Sequence, residues 1–295
     1  MTTYSGTLVG ADGTSLDMTI TYHPWPVDPP PPPPPATGRR RAIWHQGWRG
    51  PALGSWPADV RDAVDTVCID MCQSAQGGTG RLTDPPGTSS VDVRALVAAG
   101  KDVLVGIGGS GGAGITVITA GQVADVVGSV QSIASRFGTT GCIWDLESAA
   151  GAGWTTDAVT AASQQLISGG LRVAICSATY GGRLAAWGKV ARALDNDLHS
   201  WQRMFYDFPQ ARTSALTKIV VDDFAAMRAY VSRDDQLSGA FMPTDPGDPN
   251  TSPVPVLAAA YSAGLAAHPG AGWAVYHDAN DGPNGWAATR ALAKL

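Results

Sequence analysis

The sequence predicts an α/β protein, a (β/α)8 TIM barrel over residues 40–295, preceded by a short N-terminal β-hairpin and a polyproline linker. Three observations carry that reading. From residue 40 onward, short apolar runs alternate with stretches of helical period eight times. Gly- and Pro-rich turn chemistry collects in the segments that follow the apolar runs, where a barrel builds its working loops. One run ends in two carboxylates two residues apart, Asp145 and Glu147. A doubly wound open sheet uses the same alternation and is the competing arrangement.

The chain begins with Thr7-Leu8-Val9 and the alternating Leu16, Met18, Ile20 and Tyr22, which flank the turn dipeptide Asp12-Gly13. This reads as a hairpin within residues 1–26, without the charged and apolar regions of a signal peptide. Two strands alone are marginal in water, so the hairpin needs another surface to pair with, the barrel or a different chain. A flexible leader is the plainer alternative. Seven prolines, Pro29 to Pro35, then favour a polyproline II rod of about 20 Å, a stiff spacer over residues 27–39. A ligand for a proline-recognition domain is its other use.

In the barrel the spacing predicts strands at 42–47, 66–72, 102–108, 141–147, 172–178, 202–208, 239–242 and 272–277. Helices fall at 91–99, 122–137, 156–168, 183–194, 222–231, 254–267 and 285–294. As a strand, 141–147 turns Cys142, Trp144 and Leu146 to one face and Ile143, Asp145 and Glu147 to the other. The first face is wholly apolar and suits burial against helices, which makes Trp144 core. The second brings both acids to the C-terminal end, where barrels do chemistry. Solvated acids at a strand end are the bland alternative.

Composition excludes several classes. The net charge is -5 and the only dense basic cluster is Arg39-Arg40-Arg41, so the footprint of a nucleic-acid binder is missing. No apolar run reaches the roughly 18 residues of a membrane helix, so no membrane insertion is expected. Cys68 and Cys72, four apart on a strand, would lie about 13 Å from each other, too far for a disulfide. With Cys142 and Cys176 they read as buried free thiols, in keeping with synthesis in a reducing cytosol. The five histidines are scattered and no cysteine pair has ligand spacing, so no metal is expected. The glycine cluster from Gly106 to Gly114 follows a strand but lacks a P-loop lysine, so no nucleotide cofactor is expected either.

Three motifs, in order, make residues 40–295 resemble the glycoside hydrolases of family 18, the chitinases and endo-β-N-acetylglucosaminidases. Val103-Leu-Val-Gly-Ile-Gly-Gly109 resembles the family's third strand, Gly141-Cys-Ile-Trp-Asp-Leu-Glu147 its D-G-x-D-x-D-x-E fourth strand, and Met204-Phe-Tyr-Asp207 its M-x-Y-D sixth strand. Gly272-Trp-Ala-Val-Tyr-His is similar to the eighth-strand segment, which often places a tryptophan under the sugar. The resemblance implies a (β/α)8 fold and a substrate-assisted, retaining mechanism without cofactor. It makes Glu147 the general acid, Asp145 the group that orients the substrate acetamide, and Tyr206 a hydrogen-bond donor to its oxygen. Asp207, Met204, Trp44, Trp273 and Tyr276 would touch substrate. Ten tryptophans against five phenylalanines add Trp48, Trp56 and Trp154, near strand ends or loops, as further sugar platforms.

Two departures from the motifs matter. Ile143 stands where the family has its first strand-four aspartate, and Gly106 where it has a serine; Thr140 replaces the leading aspartate. Losing both members of a buried polar network leaves neither one unpaired. The loss slows catalysis or marks a catalytically silent glycan-binding barrel. Only 29 residues separate Met242 from Gly272, too few for a large insertion and a helix, so an open groove for a glycan polymer is expected. The hairpin and proline spacer resemble those of bacteriophage minor tail proteins. They imply attachment to other tail subunits through residues 1–26, a virion tail location and possible homo-oligomers; outside a phage, a protein made in the cytosol would act on the cell envelope.

Overall fold

The structure, a computed structural model, describes residues 2–9, 15–22, 38–72, 79–109, 118–147, 150–151, 153–179, 183–243 and 251–295. One unit is the hairpin. Strand β1 (Thr2–Val9) pairs antiparallel with β2 (Ser15–Tyr22) in unbroken register, from Thr2 opposite Tyr22 to Val9 opposite Ser15. The expected turn at Asp12-Gly13 and the proline run from Pro29 to Pro35 lie outside the described residues.

The second unit is a closed barrel of eight parallel strands, β3 (Arg41–His45), β4 (Thr66–Cys72), β5 (Asp102–Gly108), β6 (Gly141–Asp145), β7 (Arg172–Ala178), β8 (Leu198–Met204), β9 (Leu237–Phe241) and β10 (Gly272–Val275). Each lies beside its sequence neighbour, and β10 closes on β3, which excludes the open sheet. Around them stand α1 (Ala58–Ala63), α2 (Ser90–Ala98), α3 (Val123–Phe137), α4 (Thr156–Ser168), α5 (Arg183–Leu194), α6 (Ala215–Arg228), α7 (Val254–Ala267), α8 (Asp278–Asp281) and α9 (Ala287–Leu292). Among the described residues no helix is long and apolar enough to cross a membrane.

Strand alternation divides the core into two layers. Ile43, Val67, Val103, Val105, Cys142, Trp144, Val173 and Val275 face the helices. Ala42, Trp44, Cys68, Leu104, Ile143, Ala174, Met204, Ala240 and Ala274 fill the interior, where one large indole is accommodated by small neighbours. All four cysteines are buried and free, as their spacing indicated.

At the N-terminal end of the barrel Asp102 accepts from Arg172 at 2.6 Å and from His199 at 3.0 Å. That pairing explains a difference from expectation. Strand β8 starts at Leu198, not 202, because His199 and Ser200, which look like loop residues, are buried. It ends at Met204, so Phe205, Tyr206 and Asp207 continue past the ladder. Helix α6 begins at Ala215 rather than 222, and a helical turn and α1 occupy residues 53–63, where no helix was expected. The helix expected over 285–294 is α9, and the short α8 precedes it where no helix was expected; the Asp281 carboxylate accepts from the backbone N–H of Ala288 and Thr289, each at 2.9 Å, and so starts α9.

Candidate active site

The site is built from β6 outward. Cys142, Trp144 and Leu146 belong to the helix-facing layer, and the Trp144 indole donates to Ser163 of α4 at 2.9 Å. This pins the strand's rotation and turns Ile143 and Asp145 inward, with Ile143 in the interior layer and Asp145 only 2% exposed. Glu147, half-buried, follows the strand end at the C-terminal mouth. Glycine is required beside it: Gly108 has φ +123° and a Cβ there would lie 2.3 Å from the Asp145 carbonyl oxygen. That closeness lets the Gly109 N–H donate to the same oxygen at 2.8 Å.

Charge in this interior is costly. Burial, then the neighbouring Glu147 and Asp70, push the Asp145 carboxyl well above the ordinary carboxylate range, against a hydrogen bond with the Cys176 thiol. Its Oδ1 has no hydrogen-bond partner among the described residues. Asp70, on β4, is pushed up to about 7, chiefly by burial and also by Asp278 and Glu147. Gln46 and Tyr276 stand beside Asp70 and pull the other way, although neither meets hydrogen-bond geometry with its oxygens. Burial likewise holds the Tyr206 and Tyr276 phenols well above their ordinary value, so both keep their protons as donors.

Tyr206, just past β8, and Tyr276, just past β10, stack with ring centroids 5.2 Å apart. Trp44 meets Tyr276 edge-on at 5.6 Å and donates its indole N–H to Gln202 at 2.8 Å. A second support comes from Asp278, fully buried at the start of α8. It accepts from His45 Nδ1 at 2.7 Å and from the Gln46 backbone N–H at 2.9 Å, fixing the end of β3 beside Asp70. Asp207 is exposed at the mouth with φ +65°, a left-handed conformation that aspartate tolerates better than most residues, and its charge reaches Asp145.

The structure thus brings together Asp145, Glu147, Tyr206, Asp207 and Tyr276, with Met204 buried in the interior layer that also holds Tyr206. Trp273 does not join them. As the second residue of β10 it faces the helices and is 2% exposed, while the inward positions fall to Ala274 and Tyr276. Trp44 does point inward, but it is fully buried and supports Tyr276 rather than offering a face to sugar. Trp56 and Trp154 are buried against Trp286 and Trp187. Of the five expected platforms only Trp48, in the turn after β3, is open, at 50% exposure.

Two residues of the site were missed in the sequence, Asp70 and the thiol of Cys176. The alternation that placed Asp145 would have found Asp70, since 66–72 read the same way turns Cys68 and Asp70 inward together. Among the described residues no cluster of three or more histidine, cysteine or acidic side chains is arranged to hold a metal.

No model of a known protein family matches the sequence, and no curated protein is similar to it. Solved structures are similar in fold. A Streptomyces coelicolor protein assigned as a chitinase A superposes with a TM-score of 0.72 at 15% identity, over 87% of this chain and 97% of that one. A family GH18 chitinase catalytic domain from the fern Peteris ryukyuensis gives 0.69 at 14% identity, over 87% and 98%. A family GH18 chitinase from Chromobacterium violaceum gives 0.66 at 18% identity, over 87% and 82%.

Proposed function

We propose that this protein hydrolyses β-linked N-acetylglucosamine-containing glycan, chitin-like or of the cell wall, by a retaining, substrate-assisted route. The observation that carries the reading is the gathering of Asp145, Glu147 and Tyr206 at the C-terminal mouth of one closed parallel barrel. The motif resemblance and the chitinases among the similar structures support it.

In this mechanism Glu147 gives its proton to the glycosidic oxygen as the bond to C1 breaks. The carbonyl oxygen of the substrate's own acetamido group attacks C1 and forms an oxazolinium ion. Asp145, with a buried oxygen that has no other partner, accepts from the acetamide N–H and balances the cation. Tyr206, a protonated phenol, donates to the acetamide oxygen. Water, deprotonated by Glu147, then attacks C1 on the face the leaving group left, so configuration is retained.

The test is product release from chitooligosaccharides and from peptidoglycan by the protein and its Glu147→Gln variant. Cleavage is expected to fall at least about 100-fold in the variant while glycan binding persists. Undiminished cleavage overturns the reading. Ile143 and Gly106, which put no polar group beneath Asp145, favour a second one, a catalytically silent glycan-binding barrel; in that case both proteins bind and neither cleaves.

The setting we infer is a bacteriophage tail, with residues 1–26 paired to another subunit and residues 27–39 as spacer. Among the described residues β1 and β2 pair only with each other, and a two-stranded sheet can take a further strand at an edge. A chain without residues 1–38 is expected to fold as a barrel and to be left out of the assembled particle; its incorporation overturns this setting.

A further inference from the structure

Strand β4 carries a bulge below the mouth of the barrel. Its pairing with β5 runs through Ile69 opposite Val105 and resumes at Cys72 opposite Ile107, so Asp70 and Met71 share one partner position, Gly106. Gly106 pairs in turn with Ile143 of β6. The bulge flips the strand's phase: Cys68 and Met71 pack on the interior layer, and Cys72 faces the helices. Asp70 therefore sits level with Gly106 and Ile143, one layer beneath Asp145.

That layer has no other carboxyl from β5 or β6. Gly106 has no room for a side chain, because a Cβ there would lie 2.9 Å from the Trp44 ring and 3.1 Å from the Ile69 carbonyl oxygen. Asp70 is 0% exposed, and neither of its oxygens makes a hydrogen bond of good geometry. The groups that face it are Cys68 on its own strand, Gln46 after β3, Tyr276 after β10, Asp278 at the start of α8, Asp145 on β6 and Glu147 beyond it. None of these is a cation. An ionised carboxylate in such a place is strongly disfavoured, whereas an apolar residue of similar size would be stable there.

We propose that Asp70 is a positioning residue of this site, a carboxyl coupled to Asp145 from across β5, so that the pair carries one negative charge between them. The proposal rests on the glycosidase reading above. With one proton held between the two carboxyls, the pair keeps a negative charge beside the acetamide N–H and then the oxazolinium ion. Two acids coupled in this way release their protons in two separate steps that belong to the pair.

The test uses the full-length protein labelled with 13C at the aspartate carboxyls, with Asp70→Asn and Asp145→Asn as variants. In the wild type the pair is expected to titrate in two steps. Either variant should lose the upper step and leave the remaining acid titrating lower than that step by about one pH unit or more. The reciprocal variant serves if Asp70→Asn does not fold. A remaining acid whose titration is unmoved overturns the proposal. Hydrolysis of a chitooligosaccharide is followed alongside, and Asp70→Asn should shift the pH profile of kcat with KM changed less than about threefold. A wild type that cleaves while the carboxyls titrate independently defeats this proposal alone. Coupled carboxyls in a protein that never cleaves uphold the Asp70–Asp145 link and defeat the glycosidase reading.

Discussion

Tyr206 and Tyr276 stack with their rings 8° from parallel, although one follows β8 and the other β10. The two strands are separated by β9, so the stack bridges the mouth above a strand that contributes no aromatic residue to it. It fixes the orientation of the Tyr206 phenol, the donor in the proposed mechanism.

Tyr206→Phe keeps the stack and removes only the hydroxyl. Its kcat on chitooligosaccharide is expected to fall about 100- to 1000-fold, the usual loss for one donor to a developing charge. The melting temperature should stay within a few degrees. Unchanged kcat in the folded variant would remove Tyr206 from the mechanism.

Asp70 makes stability depend on pH. Burial first pushes its folded-state carboxyl up to about 7 against an ordinary 3.8, so the native chain holds a proton that the unfolded chain releases. The stabilisation is therefore complete below about 4 and lost as pH rises through 7, on the order of 4 kcal/mol in all. Denaturant unfolding of the wild type should show stability declining between about pH 4 and 7 and levelling above, and Asp70→Asn should make that decline shallower, Asp145 supplying the rest. A decline equally steep in both proteins would assign it elsewhere.

Asp102, at the opposite end of the barrel, has the reverse sign. Burial pushes its carboxyl up, but His199, Arg172 and Arg40 outweigh burial and hold it below the ordinary value. Its contribution is present above pH 4 and lost as pH falls through the lowered value. Asp102→Asn leaves Arg172 without its partner carboxylate and His199 without its acceptor, so about 3–5 kcal/mol should be lost at pH 7. Activity measured well below the melting temperature should be unaffected, because the substitution lies at the end away from Glu147.

Trp48 and Trp273 set the proposed sugar contact against packing. Trp48→Ala should weaken binding to insoluble chitin without moving the melting temperature, since the side chain is half exposed. Trp273→Ala should cost about 3–5 kcal/mol, because it empties a space between β10 and the helices. Pull-down on chitin and thermal unfolding of both variants decide the matter.

The barrel was legible because alternation and helical period are local. Trp144 and Asp145 could be assigned opposite faces from their neighbours alone, and the structure keeps that assignment. Elements decided by distant partners were not legible. His199 looks like a loop residue until Asp102, from a strand three positions away, is known to pair with it. Trp273 looks like a sugar platform by resemblance of its motif, whereas its place on β10 turns it with Val275 toward the helices. Asp70 turns inward by the same alternation that places Asp145; what the sequence hides is its level in the barrel, set by the bulge in β4, and the acids it meets across β5.

The bulge in β4 bears on how such a protein can diverge. A barrel's interior layers are rings, and a given place in a ring can be filled from more than one strand. A linear motif records which strand fills it, whereas the chemistry depends only on the place. If a carboxyl leaves β6 and another arrives from β4, the signature disappears while the ring keeps its charge. A chain can then share its fold with chitinases, and keep an acid in the layer beneath Asp145, while no family profile claims it.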